Sequence, residues 1–284
     1  MKLDCAGKIL DFSVPRIMGI LNVTPDSFFD GGRYTRVDEA LKQAERMIRE
    51  GADIIDIGGE STRPGAAAVP EDEELDRVIP VIEQLAHSFD VPVSIDTSKP
   101  AVMREAVQAG AGMINDVYAL QQDGALAIAA AAPVPVCLMH MQGVPRTMQD
   151  APDYADVVGD VKSFLLARVE TCVAAGIDRQ RLLLDPGFGF GKTLQHNLQL
   201  LKGLSQLVET GLPLVVGISR KSMLGGLVAG LNGQEQPVPV EQRLYAGLGA
   251  AVTAAMQGAR ILRVHDVRAT REALAPLVAM LGIS

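Results

Sequence analysis

Cysteine is scarce in this chain: Cys5, Cys137 and Cys172 are the only three in 284 residues. An odd number with no CxxC pairing excludes a disulfide framework and a cysteine-built zinc site, and it fits a reducing compartment. Long apolar runs are also missing. The longest, Ala125 to Met139, is interrupted by Pro133 and Pro135 and falls short of the roughly 18 residues a membrane-crossing helix requires. The opening MKLDCAGKIL lacks the unbroken apolar core of a secretory leader, so a soluble, cytoplasmic protein is expected. Basic residues are in deficit, 26 Lys and Arg against 34 Asp and Glu, for a formal net charge of -8. Nonspecific binding to nucleic acid or to an anionic membrane is thereby disfavoured, and an anionic substrate would need a local cation cluster. What is abundant is apolar content, 48% of residues, enough for a large core in one barrel or two ordinary domains.

The segment from Val93 to Val117 sets the pattern for the rest. Val93 to Ile95 reads as a strand ending on Asp96, Ser98 as a helix N-cap with Pro100 in the first turn, and Ala101 to Ala109 as a helix stopped by Gly110. Met113-Ile114 then opens a second strand that ends on Asn115-Asp116. This is a βαβ unit with polar side chains at both strand carboxyl ends, where parallel α/β folds carry their chemistry.

The same alternation runs along the chain. Residues 2 to 13 read as a small β-hairpin able to cap one end of a barrel. Further strands are expected at Ile17 to Leu21, Ile54 to Ile57, Val134 to Met139, Leu182 to Leu184, Leu214 to Ile218 and Ile261 to Val264. Helices are expected near Val37 to Glu50, Glu71 to His87, Asp123 to Ala131, Tyr154 to Ala175, Leu194 to Val208 and Glu241 to Met256, with a last one closing the chain. Ala229 to Val240 reads as a solvated loop. Eight strand-helix alternations over residues 1–284, without a break in composition, predict one (β/α)₈ TIM barrel of the α/β class with a short N-terminal hairpin. A doubly wound open sheet is disfavoured because no GxGxxG follows the first strand.

Polar residues stand at or just past nearly every strand end: Asn22, Asp56, Thr62-Arg63, Asp96, Asn115, His140, Asp185, Ser219 to Lys221 and Arg263 to His265. Helix capping alone would explain any one of them; in a barrel all converge on one face. Asp96, Asn115 and Asp185 suit the donor-rich edge of a flat heterocycle such as an aminopyrimidinone. A metal site is the weaker reading, since Asn115 is a poor ligand and no HxxxH or DxD spacing is present. Arg63, Lys221, Arg263 and His265 suit phosphate oxygens. The Gly187 to Thr193 segment imitates a P-loop, but Pro186 stands where its first glycine belongs. His87 and His196 read as surface or packing residues within helices, and His140 is left unassigned.

With these residues in place, the sequence resembles the dihydropteroate synthases along nearly its whole length. The likeness is carried by Leu21 to Phe28 (LNVTPDSF), Gly58 to Gly65 (GGESTRPG), Ser94 to Thr97, Ile114 to Val117, Asp185 to Phe190 (DPGFGF), Gly217 to Ser222 (GISRKS) and Arg263 to Asp266. The resemblance implies a folate-pathway transferase that joins 6-hydroxymethyl-7,8-dihydropterin diphosphate to p-aminobenzoate and releases pyrophosphate with Mg2+ assistance. It also implies a sulfonamide target and a homodimer formed through late helices. By resemblance, Asp96, Asn115, Asp185, Lys221 and Arg263 hold the pterin; Asn22, Arg63, Arg263 and His265 meet the diphosphate; and Thr62, Pro64, Phe190, Lys221 and Ser222 line the p-aminobenzoate pocket. Asn22 is the implied metal ligand, and Asp96, Lys221, Arg263 and His265 are the implied catalytic set. Two rival readings share the barrel. A domain passing a methyl group from methyltetrahydrofolate to a corrinoid needs the three pterin residues but neither a diphosphate clamp nor an acceptor pocket. A non-catalytic pterin-binding protein needs no complete motif set.

Overall fold

The computed structural model describes residues 1–24, 33–61, 68–143 and 147–282. The chain opens with an antiparallel hairpin, β1 (Lys2–Cys5) and β2 (Lys8–Asp11), paired Cys5 to Lys8 across a turn in which Ala6 and Gly7 both take left-handed backbone. Eight parallel strands follow: β3 (Arg16–Asn22), β4 (Ile54–Gly58), β5 (Val93–Asp96), β6 (Met113–Asp116), β7 (Val136–Met139), β8 (Leu182–Asp185), β9 (Val215–Val216) and β10 (Ile261–Val264). Their order is β8-β7-β6-β5-β4-β3-β10-β9, and a parallel bridge between Leu184 and Leu214 joins the two ends. The sheet is a nearly closed barrel.

Helices return the chain between strands: α1 (Arg33–Arg49), α2 (Glu71–Ser88), α3 (Pro100–Gln108), α4 (Ala125–Ala131), α5 (Val157–Ala174), α6 (Leu194–Lys202), α7 (Leu204–Val208), α8 (Ser222–Leu231), α9 (Leu244–Met256) and α10 (Val267–Leu281). The larger apolar cluster lies between these helices and the outer face of the strands. The second cluster is inside. Leu3, Cys5, Leu10 and Phe12 of the hairpin pack on Met18, Ile54, Met113, Cys137, Leu183, Val215 and Ile261, which closes the end of the barrel where the strands begin. Gly112 permits this seal, because a Cβ there would lie 2.5 Å from the Cys5 carbonyl oxygen. Among the described residues no helix is long and apolar enough to cross a membrane.

Several expected boundaries move. Lys99, not Ser98, caps α3, and its amide is turned by the Thr97 hydroxyl at 3.2 Å, leaving Pro100 at the first helical position. The helix expected from Leu194 to Val208 divides at Gly203, where a Cβ would come within 2.8 Å of the Val158 side chain. Helix α8 was not expected. Its Gly225-Gly226 pair depresses helix propensity, yet Gly225 is what allows Arg243 and the Val238 carbonyl to pack against the helix. The expected loop therefore begins after Leu231 rather than at Ala229.

Candidate active site

Strand register draws the polar residues into a line. Asn22 pairs with Gly58, Gly58 with Asp96, and Asp96 with Asn115, so four adjacent strands finish at one level. Asp185 ends β8 across from Met139 of β7. All lie at the end of the barrel opposite the hairpin, where parallel strands present their carboxyl termini. Asn115 and Asp185 are each 5% exposed.

Beneath that line sits a charge network. Arg263, on β10, donates from Nε to Asp56 Oδ2 at 2.6 Å and from a terminal nitrogen to Asp96 Oδ2 at 2.5 Å. Asn115 Nδ2 donates to the same Asp56 oxygen at 3.3 Å, while Asp56 Oδ1 has no hydrogen-bond partner among the described residues. Burial pushes the Asp96 carboxyl up to about 7, against the pull of Arg263 and with the help of Asp56. Burial opposes the charge on Arg263, but Asp56 and then Asp96 hold its pKa above the usual guanidinium value. Asp185 is likewise raised by burial, with Lys221 and the Gly187 amide, which donates to Asp185 Oδ1 at 2.7 Å, working to lower it.

Lys221 closes the opposite wall. Its Nζ donates to the Phe188 carbonyl and stands 4.3 Å from the centre of the Phe190 ring. Burial lowers this ammonium to about 8, with the nearby Asp185 resisting. The residue before it, Arg220, has φ +61, an uncommon left-handed conformation held by paired contacts with Asp266 at 3.1 and 2.6 Å and by Arg243, which donates to the Arg220 carbonyl at 3.0 Å. Ser222 then opens α8, presenting a helix N-terminus next to Lys221. His265 follows β10 and contacts Ser219 at 3.2 Å through both its amide and Nδ1.

The structure thus brings together Asn22, Asp96, Asn115, Asp185, Phe190, Lys221, Ser222, Arg263 and His265 at one end of the barrel. Thr62, Arg63 and Pro64 lie outside the described residues. Among the described residues no group of three or more His, Cys, Asp or Glu could hold a metal ion by itself. Two residues have roles that the sequence reading did not assign. Asp56, counted there only among the polar residues at the strand ends, anchors Arg263 from inside the apolar run Ile54-Ile55-Asp56-Ile57. Lys192, in the segment set aside as a failed P-loop, is 2% exposed and donates to Gly187 O, Phe190 O and His140 Nδ1. That loop wraps two of its carbonyls around the Lys192 Nζ.

The chain is similar to known proteins over nearly its whole length. The family model described as "Pterin binding enzyme" matches residues 18–265. The dihydropteroate synthase of Escherichia coli K12 is 54% identical over 282 residues, covering 99% of this chain and 97% of that protein. A Yersinia pestis dihydropteroate synthase solved with a sulfonamide drug complex superposes with a TM-score of 0.91 at 57% identity, covering 99% of each chain. A Xanthomonas albilineans dihydropteroate synthase in complex with 7,8-dihydropteroate gives a TM-score of 0.87 at 50% identity, covering 100% of both chains.

Proposed function

The chain belongs to the pterin-binding enzyme family, within it to the dihydropteroate synthases, and from that premise we propose how its own residues carry the transfer. The reaction condenses 6-hydroxymethyl-7,8-dihydropterin diphosphate with p-aminobenzoate to give 7,8-dihydropteroate and pyrophosphate. The observation that carries the residue assignment is the adjacency of Asp96, Asn115 and Asp185 with Lys221 and Arg263 at a single mouth.

Asp96 and Asp185 accept charge-assisted bonds from the donor-rich edge of the pterin, and Asn115 both donates and accepts there. Arg263, fixed by Asp56, offers its guanidinium plane for the ring to stack on and a cationic edge toward the diphosphate. Loss of the diphosphate leaves positive charge on the pterin methylene, so a dissociative path is favoured when anionic Asp96 lies close and His265, with Arg63, takes up charge on the departing group. p-Aminobenzoate is a weak amine nucleophile. Its attack on an electron-poor carbon needs little help from a base, and the barrel walls exclude competing water. Phe190 packs on the acceptor ring, while Lys221 and the Ser222 amide at the head of α8 receive its carboxylate.

Asn22 supplies an amide oxygen beside Asp96. One such oxygen suits Mg2+, which keeps most of its waters and completes its shell with substrate phosphates. Bound there with the diphosphate, magnesium would supply Lewis-acid stabilisation of the leaving group. Buried, unpaired Cys5, Cys137 and Cys172 accord with a cytoplasmic site of action. Exposed Leu231 and Tyr245, on α8 and α9, give a late-barrel surface through which a homodimer would form.

Mixing both substrates with magnesium should release pyrophosphate, which chelation stops, and a sulfonamide should compete with p-aminobenzoate but not with the pterin diphosphate. Pterin binding without pyrophosphate release would leave only a binding protein.

A further inference from the structure

Helix capping, strand ends and pterin contacts account for most of the buried polar groups, but not for Lys192. It is a lysine 2% exposed with no carboxylate within hydrogen-bonding reach among the described residues, and burial lowers its pKa to about 7, with the Lys221 charge adding to the shift. Three acceptors surround its Nζ: Gly187 O at 2.9 Å, Phe190 O at 3.0 Å and His140 Nδ1 at 2.9 Å. An ammonium has three donors, so each is used and none is left over. His140 is itself 5% exposed, stacked edge-on to Phe164, and burial lowers its pKa to about 3, with the Lys192 charge adding to the shift. Its imidazole is therefore neutral, and with the proton on Nε2 its Nδ1 accepts from the Lys192 Nζ.

The two carbonyl acceptors belong to one loop. Gly187, Gly189 and Gly191 all take positive φ, and a Cβ on Gly187 or Gly191 would run into His140 O or Gln142 O. The backbone is thus wrapped around the ammonium and pressed onto the end of β7. Its outward side carries the Phe188 carbonyl and the Phe190 ring, and both of these touch Lys221.

We propose that Lys192, seated on His140, is a positioning residue that shapes the Gly187–Gly191 loop around itself and so places Phe190 and Lys221 for the acceptor substrate. The proposal rests on the acceptor-pocket reading above. Lys192 does not reach substrate. Its Nζ supplies the hydrogen bonds that a loop of this curvature cannot make internally, and the loop resists deformation because any opening leaves buried polar groups without partners. The asymmetry is the specific content: the loop stands between β8 and Lys221, so disturbing it should affect the acceptor more than the pterin, because of the three pterin-edge residues Asp96 and Asn115 lie on other strands and only Asp185, which accepts from the Gly187 amide, adjoins the loop.

The test is Lys192→Met, with His140→Leu as a milder second variant that leaves the ammonium two carbonyls. KM for p-aminobenzoate should rise about tenfold or more in Lys192→Met and about threefold in His140→Leu, while calorimetric affinity for a pterin analogue changes less than about twofold. Hydrogen exchange at the 187–191 amides should rise at least about tenfold in Lys192→Met, and in the unsubstituted protein the Phe190 amide, bonded to Gly187 O at 3.1 Å, should be strongly protected. Equal losses of pterin and acceptor affinity, an unchanged KM, or an unprotected Phe190 amide in the unsubstituted protein would each overturn the proposal. A protein that binds pterin and shows the exchange effect yet releases no pyrophosphate would defeat the enzymatic reading instead, leaving the loop assignment standing.

Discussion

Arg263 and Asp56 form an ion pair that skips a strand. Nε of Arg263, on β10, lies 2.6 Å from Asp56 Oδ2, on β4, although β3 runs between them. Asp56 is fully buried, so the pair is a strut across the barrel interior rather than a surface contact.

Removing one partner of such a pair leaves the other charge buried. Asp56→Ala should therefore cost on the order of 3 kcal/mol of stability, read by urea unfolding. It should also weaken binding of a pterin analogue, since Arg263 would then be held by Asp96 alone. A stability loss under about 1 kcal/mol with wild-type pterin affinity would show that the strut matters to neither.

Asp96 and Lys221 bracket neutrality. Burial pushes the first up to about 7 and the second down to about 8. If ionised Asp96 faces the pterin and charged Lys221 the acceptor carboxylate, kcat/KM rises as pH climbs through 7 and falls above 8. Asp96→Asn should flatten the acid limb, and Lys221→Arg should move the alkaline limb upward. Stability runs by a different sign. Asp96, raised in the fold from 3.8, contributes stability below its unfolded value that is lost as pH rises through 7; Lys221, lowered from 10.5, contributes above its unfolded value what is lost as pH falls through 8. A flat profile between pH 6 and 9, measured at low substrate, would remove both groups from the rate.

Lys99 ties Glu60 at the end of β4 to Glu74 on α2, and Glu60 Oε1 also accepts from the Val69 amide at 3.3 Å. Glu74 is fully buried and one of its oxygens is already unpartnered among the described residues. Lys99→Met should destabilise by about 3 kcal/mol, and Lys99→Met with Glu74→Gln should recover more than half of that, because the stranded charge is gone. A double variant no more stable than the single one would locate the cost in lost packing instead.

The barrel could be read from sequence because each strand is a short apolar run closed by a polar residue, as in Val93 to Asp96. The site line was legible for the same reason: Asp96, Asn115 and Asp185 interrupt β-branched or leucine-rich runs at their ends. Helix α8 was hidden by Gly225-Gly226, whose value lies in what packs against them, a tertiary fact that propensity does not carry. Lys192 was hidden differently. Its motif was tested for a phosphate cradle, whereas its glycines turn backbone carbonyls inward to a cation, and sequence does not tell which way carbonyls face.

The N-terminal hairpin makes the protein a cup and not a tube. With Leu3, Leu10 and Phe12 stopping the base, everything that reacts must arrive and depart by the same rim.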